Sequence, residues 1–210
     1  MSLYEKSYNF FSKDPIPAVC NNSWCSMFAI LTVILALIFA CIEIEIEGPC
    51  GWADKLPTPS TGPNRKSLTI YHYLIFFLMF FVFCSVFFIN PRRFNIANLG
   101  FIFAFTLIFF TLEDFYWFCL SPFYGMDGTN LKTGKKAWWH YKIGTCPVLY
   151  IALPLLAFSI CLFSGYTITF LKSASIFLLC TILVIVMAPA YQKFYLAKHP
   201  DSHNLKCHKQ

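Results

Sequence analysis

The sequence predicts an all-α fold, a polytopic integral membrane bundle of about five transmembrane helices. Three observations carry that reading. The 210-residue chain is 58% hydrophobic and only 12% charged, wrong for a soluble domain and right for a chain that crosses a bilayer repeatedly. Apolar runs of spanning length recur along it. Its Lys and Arg fall between those runs and in the tails, where they meet lipid headgroups, so the net charge of +6 is no nucleic-acid footprint. Residues 1–210 read as a single membrane domain with no soluble module and no internal repeat.

Residues 1–25 are polar and aromatic, with Pro15 and Pro17 forbidding a long helix, and read as a segment lying at the interface. No clear small-x-small site follows the first apolar run, so no cleaved signal peptide is expected. The first span covers 26–44 and is uncharged before Glu43. IEIEIEGPCGW follows. Its β-branched alternation predicts that the chain leaves the helix here, which would point Glu43, Glu45 and Glu47 the same way; a helix would put only Glu43 and Glu47 on one face. A Pro-rich loop, LPTPSTGPNRK, leads to a second span over 68–89, with His72 near its start. Asn90-Pro91-Arg92-Arg93 reads as a tight turn. The third span, 96–118, ends in LEDFYWFCLSP, which places Glu113 about 26 Å along the helix, inside the far edge of the hydrocarbon or only just beyond it. A long loop closes with AWWHYK, including His140. The fourth span covers 147–163, with a bend expected at Pro154, and the fifth 173–191; 192–210 is a polar, basic tail.

Five spans put the chain ends on opposite faces. One face receives five of the sixteen Lys and Arg, the other eleven, and the positive-inside rule turns the eleven-charge face to the cytoplasm. A chain that starts inside would reverse this. The expected location is a cell membrane, most simply the plasma membrane.

Glu43, Glu45, Glu47, His72, Glu113, Asp114 and His140 all collect on the eleven-charge face. Carboxylates at membrane depth are costly unless protonated, paired, hydrated or metal-bound, so they mark candidate sites. His72, His140, Glu113 and Asp114 form the candidate catalytic set, and the same four supply a ligand set suited to a divalent Zn, Fe or Mn ion. Two other readings stay open: a headgroup-level polar tie between spans, and a metal-free acid/base or proton-relay site. Trp52, Trp117, Trp138 and Trp139 read as an interfacial belt, and His199, His203 and His208 as part of a solvated tail. Five cysteines, Cys41, Cys84, Cys119, Cys161 and Cys180, lie in apolar runs as small hydrophobes. Cys50 and Cys146 fall in loops on one face and can pair only if that face is oxidising.

Glu47-Gly48 with Gly51-Trp52-Ala53-Asp54-Lys55-Leu56-Pro57-Thr58, then Leu112-Glu113-Asp114-Phe115 with Trp117-Phe118, Pro122, Tyr124-Gly125 and Trp139-His140, resembles the pattern of a functionally uncharacterised family of small prokaryotic multi-pass membrane proteins. The resemblance covers roughly residues 40–150. It implies a membrane location and no activity. The N-terminal extension and the basic tail depart from the family's compact pattern.

Three functions fit these residues. One is a small intramembrane enzyme acting on a lipid or amphiphile at the Glu/Asp/His face. Another is a transporter or channel accessory subunit, against which the acids sit at one face and not at the midplane. The third is an assembly factor whose loops bind a membrane protein partner. Lipids are the expected surroundings, and a homo-oligomer is compatible with the second function.

Overall fold

The computed structural model describes residues 22–51, 70–89, 94–132, 142–143 and 146–204. They form a helical bundle. Helix α1 (Asn22–Glu47) runs into a 3-10 turn, Gly48–Cys50. Then come α2 (Ile70–Ile89), α3 (Ile96–Leu120), α4 (Leu149–Phe163) and α5 (Thr167–Lys198), and a last 3-10 turn at Pro200–Asn204. Two residues on each side, Lys142–Ile143 and Cys146–Pro147, pair as a minimal antiparallel ribbon before α4.

In lipid, backbone groups must be satisfied within the segment and apolar side chains gain nothing by leaving solvent. Association then depends on contact. Helix α3 is the hub: α1, α2, α4 and α5 all pack on it, α1 and α4 most extensively. Its start is capped by Asn95, whose side chain accepts from the Asn98 N–H at 2.8 Å. Along it, Phe101, Phe105 and Phe109 recur every four residues and are almost fully buried. Phe28 of α1 lies 5.6 Å from Phe101 and 5.2 Å from Phe105, ring to ring, and 5.3 Å from Phe83 of α2. Phe177 of α5 meets Phe105 at 5.8 Å. Each such pair adds about 0.5–1.5 kcal/mol beyond its area.

Helix α1 turns inward a seam of buried residues at intervals of three and four, Ala29, Val33, Ala36, Ala40 and Ile44. The alanines let the backbones approach. Met27, Ile30, Leu31, Ile34 and Ile38 lie on the other face, exposed to lipid. Between α3 and α4 the close approach is made by Gly100, where a Cβ would stand 2.5 Å from the Ser164 Oγ.

The spans differ from expectation in length. Helix α1 extends beyond 26–44 at both ends, and α5 starts six residues before 173 and continues seven beyond 191. Four helices are long and apolar enough to cross a bilayer. At 15 residues, α4 is about 22 Å long, short of a roughly 30 Å core. It nevertheless runs antiparallel along α3, from Tyr150 beside Asp114 to Ser164 beside Gly100. Helix α5 then returns, and Gln192 Nε2 donates to the carbonyls of Cys119 (3.0 Å) and Ser121 (3.2 Å) at the far end of α3. The ends of α1, α3 and α5 and the starts of α2 and α4 therefore share one face.

At the opposite face the α4–α5 turn is fastened by the Tyr166 hydroxyl, which donates to the buried Asn98 Oδ1. Tyr166→Phe should lower stability by about 0.5–2 kcal/mol, read by unfolding in detergent. An unchanged midpoint would mean that the bond does not fasten the turn.

Candidate functional site

The alternating IEIEIE segment is helical to Glu47, correcting the expectation that the chain leaves the helix there. The helix keeps every backbone group satisfied at membrane depth, which outweighs the strand preference of three isoleucines. The consequence is a division of the glutamates. Glu43 and Glu47 stand one turn apart and continue the α1 seam inward, Glu47 buried and Glu43 half-buried. Glu45 points the other way, where its Oε1 lies 3.4 Å from Nε2 of His199, both side chains about half exposed. His199 also stacks on Tyr195 at 4.5 Å, so it is docked on the bundle and not part of a free tail.

Helix α2 brings His72, its third residue, against the inward pair. One ligand atom each from Glu43, Glu47 and His72 lie within 4.8 Å of one another. Glu113 of α3 faces Glu43. It is buried, and its Oε1 has no hydrogen-bond partner among the described residues. The Tyr71 hydroxyl is also buried and lies beside Glu43. Two carboxylates facing each other at low dielectric repel unless they share a proton or a cation.

The carboxylates border a cavity of about 480 Å³. Glu43, His72 and Glu113 form its polar wall, and Tyr73, Ile75, Phe76, Phe77 and Phe110 the rest. No Lys or Arg is among these described lining residues. Phe76 stacks on Phe110 at 5.5 Å, giving the cavity a flat aromatic side. Tyr73 and Phe77 are more than half exposed on the outer surface of α2, so the cavity borders lipid.

Of the four residues singled out in the sequence, His72 and Glu113 meet at this cavity. Asp114 does not line it: the Tyr150 hydroxyl donates to its Oδ2 at 2.6 Å, tying α4 to α3. Its 100° offset from Glu113 turns it to that neighbour. His140 lies outside the described residues, as do Trp52, Trp138 and Trp139. Trp117, expected in an interfacial belt, is buried against Phe118 (4.9 Å) and Tyr124 (5.1 Å). Glu43 and Glu47 were absent from the sequence-derived set; their four-residue spacing was the signal.

A loop closes this end of the bundle. The Tyr124 hydroxyl donates to the Cys50 carbonyl at 3.2 Å and Asn130 Nδ2 to the Pro49 carbonyl at 3.4 Å. Cys50 is disulfide-bonded, while Cys41, Cys84, Cys119, Cys161 and Cys180 are free thiols.

A site of one imidazole nitrogen and two carboxylates has the donor set and spacing for a single divalent ion with open positions. Glu113 faces Glu43 but is not one of the three grouped ligands. Comparison with protein-family profiles, with curated proteins and with solved structures finds no match.

The division of the glutamates is testable through stability. Glu45→Ala, breaking an exposed pair, should change it by less than about 0.5 kcal/mol. Tyr150→Phe, removing a bond to a carboxylate between helices, should cost about 1–2 kcal/mol by the same detergent unfolding assay. A loss on Glu45→Ala as large as that on Tyr150→Phe would contradict the exposed placement of Glu45.

Proposed function

We propose that this protein is an intramembrane enzyme in which Glu43, Glu47 and His72 hold a divalent metal ion and a lipid or similar amphiphile occupies the adjoining cavity. The observation that carries this reading is Glu113 Oε1, a buried carboxylate oxygen without a hydrogen-bond partner among the described residues, beside a three-ligand cluster in an otherwise apolar cavity. An ion bound there would offset the repulsion between the facing carboxylates and polarise a bound oxygen or water. Glu113 would take up the proton released from a water or hydroxyl held at the polar wall. The Tyr71 hydroxyl would donate to a nearby oxygen. Phe76, Phe77 and Phe110 would carry the acyl chain, and the border with lipid would let substrate enter sideways from the bilayer. The resemblance to a family of small multi-pass membrane proteins supports the membrane setting and adds no chemistry.

Zn, Fe and Mn all suit a mixed nitrogen and oxygen donor set. A second reading, metal-free proton transfer, draws on the facing pair Glu43 and Glu113, which could share one proton.

Metal analysis of detergent-purified protein, prepared without chelators, separates the two. The enzyme reading expects close to one Zn, Fe or Mn per chain. Loss of an outer partner alone weakens metal sites about 10–100-fold, so His72→Ala and Glu47→Ala should weaken retention by more than that. Glu113→Gln should keep the metal and lose turnover in lipid-hydrolysis assays. A wild-type protein that neither carries nor takes up a divalent ion would sink the metal centre and leave Glu43 and Glu113 as a proton site.

A further inference from the structure

We infer that the face carrying Glu43, Glu47 and His72 is the oxidising, extracytoplasmic or lumenal face of the membrane, the reverse of the orientation favoured by counting Lys and Arg. The inference rests on Cys50, which is disulfide-bonded while Cys41, Cys84, Cys119, Cys161 and Cys180 are free thiols. Structural disulfides persist in oxidising compartments and are rare in reducing ones.

Cys50, in the 3-10 turn that ends α1, fixes the bond at this face. Cys25 lies in the first turn of α1, 25 residues before Cys50 and about 37 Å away along a helical axis. With the helix thiols free, Cys146 and Cys207 are candidate intrachain partners. Cys146 precedes α4 by three residues. Cys207 follows the Pro200–Asn204 turn, which packs against Gly48–Cys50. The bond lies where Cys50 lies, three residues after Glu47, so the inference does not depend on its partner.

The charge count opposes this orientation, eleven Lys and Arg against five, and the disulfide is the observation set against it. Arg92 and Arg93 sit in the short connection between α2 and α3 on the opposite face, where a positive pair favours the cytoplasm. The reversed orientation keeps that pair and the N-terminus in the cytoplasm. The bond also has a structural place. It fastens the turn three residues after Glu47, beside the carbonyls held by Tyr124 and Asn130. On the enzyme reading above, the cavity would then draw its amphiphile from the outer leaflet; the orientation itself stands without that reading.

The test uses the full chain in a bacterial inner membrane. The C-terminus leaves the bundle on the site's face, so it is fused in parallel to alkaline phosphatase, active only outside the cytoplasm, and to a green fluorescent protein that matures only inside. In a second arm free thiols are blocked under denaturing conditions, the disulfide is reduced, and the protein is labelled with a polyethylene-glycol maleimide. The expected result is active phosphatase, a dark fluorescent fusion and a two-thiol gel shift lost in Cys50→Ser. A fluorescent fusion with inactive phosphatase, a mixture of both orientations, or a Cys50 thiol already blocked before reduction would overturn it. Neither arm reads metal or turnover, so its failure is separable from failure of the enzyme reading.

Discussion

The packing of α1 on α3 is the contact from which the rest of the bundle follows. Helices in lipid gain little by hiding apolar surface from one another, so their association depends on dispersion and on how closely the backbones approach. Ala29, Ala36 and Ala40 have no exposed surface. Their small size leaves room on the buried side of α1, where Phe28 enters among Phe83, Phe101 and Phe105. Once α1 is set in that register, its seam continues past Ala40 to Glu43 and Glu47. The residues that place the helix also determine which glutamates point inward.

That register creates an electrostatic problem at one end of a well-packed core. Glu43 and Glu113 approach from different helices, with Glu47 and His72 alongside. Burial makes each carboxylate's charge costly, and mutual repulsion adds to it. Asp114, next in sequence to Glu113, has a different solution in the Tyr150 hydroxyl. The contrast is one of placement: adjacent residues on one helix turn to different neighbours, and only Glu113 borders the cavity.

Much of the architecture was legible in the sequence because membrane spans announce themselves through length and composition. The helical bundle and the gathering of Glu113, His72 and the glutamates at one end followed from runs of apolar residues and the alternation of faces. Less legible was the path of IEIEIE, whose β-branched alternation argues for a strand when solvent can satisfy the backbone. Membrane depth removes that option and keeps it helical. Trp117 was misread because an aromatic near a span end resembles a belt residue in sequence, while Phe118 and Tyr124 enclose it in three dimensions. The role of Asp114 depended on Tyr150, 36 residues away, a pairing no local pattern encodes. Cys50 likewise could be read only as a conditional pair until its bonded state was seen.

The central claim is that Glu43, Glu47 and His72 form one metal-binding centre. X-ray absorption spectroscopy at the edge of the ion the protein retains, or of added Zn²⁺, tests it most directly. The account predicts a first shell of oxygen and nitrogen at about 2.0–2.2 Å, with the scattering signature of a single imidazole that disappears in His72→Ala. A sulfur shell near 2.3 Å, or a spectrum unaltered by His72→Ala, would place any bound ion elsewhere and contradict the account.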